Sequence, residues 1–495
     1  MSSATLKENK MGTQPIGRLL LTMSVPMMLS MLVQALYNVV DSIFVARISE
    51  LQYELTAVST AFPIQNLMIA FGTGIGVGIT TLISKSLGEK NPKRARRAAA
   101  QGIMLEICSC IIFVLIGLFG TEAFMRSQTG NEEIIRHGVD YLSICCTFSF
   151  GIFIEITFEK LLQSTGKMVQ SMLSQAIGAI INIVLDPILI FGMFGLPAMG
   201  IKGAACATVI GQMAAAVAAI IFHLASNREL RIAPSDFKLH KKLIAKILIV
   251  GLPSVLMVAI GSVMTYCMNK ILFSINKVGE IATTVFGVYF KLQSFLVMPV
   301  IGLNNGMVPI IAFNYGARNK KRITKTIRLS VIAAVCIMLC GILLFQLAPE
   351  WLLGLFGAEN EMMSIGKTAL RIISLNFIFA GYCIVISSTF QAFGNGLFSM
   401  IISFIRQLVV LIPVAFLFAR FGELWQVWLA FPIAECAACV MCTVMFVYLY
   451  KKLIKPLGEG PSKDDLLKKL TEQFEKGEIT EEAYNHKKAD ILDNL

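Results

Sequence analysis

Residues 62–94 read FPIQNLMIAFGTGIGVGITTLISKSLGEKNPKR, and residues 290–322 read FKLQSFLVMPVIGLNNGMVPIIAFNYGARNKKR. Each is a long apolar run, containing glycine, that ends in a basic turn. About 20 apolar residues are enough for a helix to cross a bilayer. Laid on each other at an offset of 228 residues, the two agree at Phe62/Phe290, Gln65/Gln293, Gly74/Gly302, Gly78/Gly306 and Gly88/Gly316. Agreement continues through the turn at Asn91/Asn319, Lys93/Lys321 and Arg94/Arg322. The same offset holds at Gln163/Gln391, Gly166/Gly394 and Ser171/Ser399, and Pro26 is met one residue out of register by Pro253. Matches that cluster on Gly, Asn and Gln at one offset mark a duplicated unit.

The rest of the chain fits that unit. Of its 495 residues, 56% are hydrophobic and only 15% are charged, against about 25% charged in soluble domains. Alternation of period two is absent, which argues against a barrel. The composition is that of an all-α polytopic membrane protein. Twelve transmembrane helices are predicted near 18–46, 55–87, 94–120, 134–163, 168–194, 201–225, 241–275, 281–315, 322–347, 362–392, 396–420 and 424–451. They divide into an N-terminal six-helix lobe over 18–230 and a C-terminal one over 241–452, joined by a linker at 231–240. A polar segment, 1–17, precedes them; it is too long and polar for a secretory signal. A Pro/Gly linker, 453–461, and a soluble tail, 462–495, follow.

Lys and Arg are sorted among the connections. Lys85 to Arg97, Arg228 to Lys246 and Arg318 to Arg328 are basic stretches, while Glu132, Glu133, Glu359 and Glu361 mark the alternate side. The positive-inside rule then places the basic loops and both termini in the cytoplasm. The net charge of +12 is accounted for by topology, and no nucleic-acid partner is expected. Six helices per unit make the repeats parallel, which points to a transporter with its site between two bundles.

Charges inside the spans narrow the function. Residues 34–46, QALYNVVDSIFVA, put Gln34, Asn38 and Asp41 on one helix face. An intramembrane carboxylate is costly unless it serves a cation or proton path, or bonds a neighbouring helix. Asn182 and Asp186 are four apart and share a face. Asp186 precedes Pro187, so a backbone-capping role at a kink is an alternative. Glu155 and Glu159 are likewise four apart, the second beside Lys160 and Lys167. Glu106, Lys291, Arg406 and Glu435 are further intramembrane charges, the last two a candidate structural pair. The FGTGIGVG stretch follows no strand, so it is packing and not a dinucleotide loop. Cys436, Cys439 and Cys442 fall on one helix face and read as packing residues. The four histidines form no metal or catalytic spacing, and no enzyme is expected.

One ordered set of residues carries a family resemblance over roughly 12–452. It comprises Pro26 and Asp41, GxxNxKR after the second and eighth spans, QSTGK at 163–167, NIVLDPILIFG at 182–192, and GIKGAACATVIGQ at 200–212. The chain resembles a multidrug and toxic compound extrusion (MATE) transporter of the bacterial efflux branch. The resemblance implies two lobes forming a V in a bacterial inner or plasma membrane. It implies export of amphipathic organic cations in exchange for sodium ions or protons, with no other cofactor. It also implies a coupling site of Asp41, Asn182, Asp186 and Thr208, an all-oxygen set suited to a hard cation or a shared proton. The seventh span, SVMTYCMNKIL, lacks a counterpart of Asp41, so coupling is weighted to the first lobe. Gln34, Asn38, Glu155 and Lys291 are the candidate substrate contacts. A flippase for a lipid-linked precursor is the alternative, and would need a cationic cavity, for which Lys270, Lys291 and Arg406 are available. Residues 475–492, EKGEITEEAYNHKKADIL, resemble a short C-terminal helical hairpin linked to oligomerisation, so the tail is expected to form a cytoplasmic hairpin that docks or self-associates.

Overall fold

The computed structural model describes residues 9–48, 53–275, 278–358 and 360–459, with 470–472, 474–475 and 484–485 of the tail. The regular elements among them are helical. The spans are α1 (Ile16–Ala46), α2 (Tyr53–Gly88), α3 (Pro92–Phe119), α4a (Glu132–Thr147) with α4b (Phe150–Ser164), α5 (Met168–Phe191) and α6 (Ile201–Ser226). The second set is α7 (Lys241–Phe273), α8 (Gly279–Gly316), α9 (Lys320–Leu347), α10a (Asn360–Ser374) with α10b (Phe377–Ala392), α11 (Gly396–Phe421) and α12 (Leu424–Leu449). Ten are long and apolar enough to cross a membrane alone, and the two bent pairs bring the spans to twelve.

The spans expected at 134–163 and 362–392 are each a bent pair of helices. α4a meets α4b at 46° and α10a meets α10b at 49°. The breaks, Phe148–Ser149 and Leu375–Asn376, fall at equivalent points of the repeat. In both, the last turn tightens to bonds three residues back, Ser149 N to Cys146 O and Asn376 N to Ile373 O. Neither break contains proline or glycine, so the apolar period runs through it unmarked. The tail hairpin lies largely outside the described residues; Phe474 and Tyr484 stack within it at 4.8 Å.

The turn motif GxxNxKR does the same work twice. Asn91 caps α3 by accepting from the Arg94 N–H at 3.0 Å, and Asn319 caps α9 by accepting from the Arg322 N–H at 3.2 Å. Lys90 and Arg318 take positive φ, 54° and 57°. The motif's glycine makes contact between lobes. A Cβ on Gly88 would stand 1.9 Å from the Phe313 carbonyl oxygen, and one on Gly316 would stand 2.2 Å from that of Lys85. α2 and α8 therefore cross backbone to backbone at their basic ends.

Farther along the same helices, the paired glycines seat the opposite lobe. A Cβ on Gly74 would meet Val255 of α7 at 2.7 Å, and one on Gly302 would meet Met28 of α1 at 2.6 Å. Val255 and Met28 stand two residues after Pro253 and Pro26, which absorbs the slip in register seen in the sequence. All these contacts use the halves of α1, α2, α7 and α8 nearest the basic loops. The lobes are thus closed on that side.

A strap lies across the closed side. Lys10–Thr13 forms one helical turn with Met11 fully buried. The Met11 carbonyl accepts from Asn314 Nδ2 at 3.0 Å and Arg322 Nη2 at 3.0 Å, and Arg322 Nη2 also donates to Gln14 O at 2.7 Å. Asn9 donates to Glu229, between α6 and α7, at 2.8 Å. The strap therefore holds both lobes. Burial, and the charge of Lys167, keep the Lys10 ammonium below its ordinary range.

Candidate functional site

Beyond the seam, a cavity of about 490 Å³ lies between the lobes. Gln34 and Tyr37 of α1, Glu155 of α4b, Asn182 of α5 and Thr208 of α6 line its N-terminal side. Asn304 of α8, Gln391 of α10b and Arg406 of α11 line the other.

Small residues bring α5 and α6 together. A Cβ on Gly178 would stand 2.8 Å from that of Ala215, and one on Gly211 would stand 3.0 Å from the Asn182 Cβ. This approach sets Asn182 Nδ2 3.5 Å from Thr208 Oγ1. One turn along α5, Asp186 is wholly buried, 0% exposed, and faces Asp41 of α1. Asp41 Oδ1, both oxygens of Asp186 and Asn182 Oδ1 are buried and accept from no N–H or hydroxyl among the described residues, while the two carboxyl groups stand within hydrogen-bond reach of each other. Pro187 leaves the Ile183 carbonyl without its helical donor, and neither Asp186 oxygen is hydrogen-bonded to it, so Asp186 does not cap the kink.

An ionised carboxylate can only accept, and an amide oxygen can only accept. The four atoms therefore form a buried cluster with no donor, which is costly as it stands. A proton on one carboxylate or a cation among the oxygens would complete it. No group of three or more His, Cys, Asp or Glu poised for a metal occurs among the described residues. Two carboxylates with an amide and a hydroxyl fit a hard monovalent cation better than a transition metal.

The structure brings Asp41, Asn182, Asp186 and Thr208 together, with Gln34 and Glu155 on the adjoining wall. The Asn38 side chain lies outside the described residues. Lys291, expected as a substrate contact, is exposed and is not among the residues lining the cavity. Its helix turns that position away from the wall that Asn304 and Asn305 form. Two features escaped the sequence reading. Tyr37 lines the cavity near Asp41, Asp186 and Glu155; its spacing from Gln34 and Asp41 already put it on the polar face. Gln163, the first residue of QSTGK, organises a buried network. It accepts from Lys160 Nζ at 3.0 Å and donates to Glu159 and, at 3.1 Å, to Ser171. Lys160 thus reaches Glu159 through an amide, and not by the direct pairing expected. Glu106 is 1% exposed and neither of its oxygens is hydrogen-bonded among the described residues.

The family description MatE matches residues 26–188 and 253–417, two segments that start on the paired Pro26 and Pro253. Multidrug export protein MepA of Staphylococcus haemolyticus is 26% identical over 437 residues, covering 88% of this chain and 93% of that protein. Probable multidrug resistance protein YoeA of Bacillus subtilis is 26% identical over 456 residues, covering 91% and 98%. A solved structure, described as the outward-facing conformation of a multidrug resistance MATE family transporter, shares the fold. It has a TM-score of 0.83 at 24% identity and covers 92% of this chain and 100% of that one. With the match falling once in each six-helix repeat, the chain belongs to the MatE family of multi-pass membrane transporters.

Proposed function

We propose that the protein exports amphipathic organic cations in exchange for sodium ions or protons. The observation that carries the coupling is the buried acceptor cluster of Asp41, Asp186 and Asn182, which lacks a donor. Relatives named for multidrug export and multidrug resistance support the direction and substrate class. If the basic loops face the cytoplasm, the closed seam is the inner gate, and the cavity is approached from outside.

The coupling follows from charge. With the site empty, two facing carboxylates repel, which strains the contact of α1 with α5. A sodium ion or proton entering from outside cancels one of the two charges, which relieves the repulsion and draws α1 in. That movement narrows the wall carrying Gln34 and Tyr37 and expels the drug. The exchange works only if ion and drug favour different positions of α1.

The test is efflux of a fluorescent cation from cells with sodium and pH gradients varied independently. Asp41→Asn is expected to cut gradient-driven efflux at least about tenfold, since one neutralised carboxylate removes the alternation of charge. Equal expression of the variant, judged by detergent gel filtration, separates this from misfolding. Unchanged efflux by well-folded Asp41→Asn would sink the proposal.

A further inference from the structure

Asn182 and Thr208 line the cavity, but neither Asp41 nor Asp186 is among its lining residues. The two carboxylates stand one turn beyond Tyr37 and Asn182, on the side away from the basic loops. An ion bound there does not have to arrive through the cavity.

A polar file runs from that site to the far ends of α2 and α4a. On α4a, Glu133, His137, Tyr141 and Cys145 recur every fourth residue and share one face. On α2, Glu54, Ala57, Ala61 and Gln65 do the same. The two faces meet at both ends. Gln65 Nε2 donates to the Tyr141 hydroxyl at 3.1 Å and lies 3.8 Å from Cys145 Sγ. Nearer the helix ends, His137 Nε2 stands 3.8 Å from Glu54 Oε1 and 3.8 Å from Glu133 Oε2. Ala57 and Ala61, both wholly buried, pack in one apolar cluster with Tyr141 and Cys145. Side-chain exposure falls inward, from 52% at Glu133 through 19% at His137 to 10% at Glu54. Tyr141 and Cys145, at the inner end, are buried and lie near Asp41. The cations around the mouth have partners of their own. Arg126 pairs with Glu122 and Glu132, Arg136 with Glu133, and Lys202 with Asp140.

Acids and histidines in file inside a membrane protein are the chemistry of proton relays, and imidazole changes charge near neutral pH. The file suits a proton better than a sodium ion. A hard cation takes several oxygen ligands at once, and the stretch at Gln65 offers an amide, a hydroxyl and a thiol. A proton needs one donor and one acceptor at a time. A hydroxyl that accepts one bond keeps a second lone pair, so the Tyr141 oxygen can take a proton and release its own.

We propose that protons reach Asp41 from the outer face, opposite the basic loops, through Glu54, His137 and Tyr141, on a path separate from the drug's. His137 takes a proton from outer water, with Glu54 beside it to hold the imidazolium. The imidazolium passes a proton to the Tyr141 oxygen, which gives up its own to the Asp41 carboxylate. This rests on the antiport reading and specifies its ion and the route of entry.

Everted membrane vesicles with an acidified lumen carry the outer face inside. Added ethidium then drives protons out of the lumen, read by the fluorescence recovery of an acridine dye. His137→Gln and His137→Glu have the same shape, and only the second titrates, sharing a proton with the carboxylates beside it. His137→Gln is expected to slow ethidium-induced proton release at least about tenfold, the low end of what a positioned proton carrier contributes. His137→Glu is expected to keep at least about a third of the parental rate, and Glu54→Gln to slow it at least about threefold. Ethidium binding to the purified full-length variants, read by fluorescence polarisation, is expected to change less than about twofold. A parental rate in His137→Gln, or an equal loss in both His137 variants, overturns the relay. If neither His137 variant survives detergent gel filtration, Glu54→Gln decides, and a parental rate there overturns it. A parent protein that moves ethidium on a sodium gradient and releases no protons overturns the relay and leaves antiport standing; one that responds to neither gradient overturns both.

Discussion

Asp186 holds two buried oxygens that no donor among the described residues satisfies, and the neighbouring Asp41 makes the deficit worse. This has a consequence separable from transport. Asp186→Asn would offer an N–H to the Asp41 carboxylate and remove the repulsion. A buried acceptor gaining a donor recovers about 1–3 kcal/mol. The variant should therefore melt several degrees higher while losing ion-driven export, read by thermal aggregation of the detergent-solubilised protein. An unchanged or lower melting point would show that the deficit is already met. At this scale much of the site was legible. Asp41, Asn182 and Asp186 stand out because acids and amides are costly in lipid, and helical spacing aligns the last two. Thr208 came from motif resemblance, and the approach of α5 to α6 explains it. Lys291 misled because spacing along one helix does not say which side faces the cavity. The role of Gln163 was hidden because it joins Glu159 and Lys160 of its own helix to Ser171 of the next.

Among elements, the spans were legible and their breaks were not. Hydrophobic length locates a crossing, but the bends at Phe148 and Asn376 have no residue signature. The π-helical segment of α11, Ile405–Leu411, is half legible, since Pro413 announces a disturbed ladder without saying how it is resolved. The strap was treated only as a polar leader, yet it carries the sharpest departure from repeat symmetry. Arg94 pairs with Glu89 at 2.5 Å, whereas its counterpart Arg322 holds the strap. Arg322→Ala removes the two hydrogen bonds that a charged donor gives the strap, each worth about 1.5–3 kcal/mol. Labelling of a cysteine placed at Met11 by a membrane-impermeant maleimide, in everted vesicles, should then rise at least about tenfold. Labelling that stays at the parental rate would mean the strap is held by Met11 burial alone.

For the whole molecule, the two lobes meet through Gly74 and Gly302, and through Gly88 and Gly316, while their charged chemistry is unshared. Asp41, Asp186 and Arg406 have no like residue at the equivalent place in the other repeat. The contacts between lobes obey the repeat symmetry and the intramembrane charges do not, so the interface is built without the site. An interface carried by backbone contacts at paired glycines does not need the covalent link. Residues up to the 231–240 connection and residues after it, co-expressed as separate chains, should assemble into a complex that exports. Halves that each reach the membrane but never co-purify would instead mean that the glycine contacts form only when the lobes are joined in one chain.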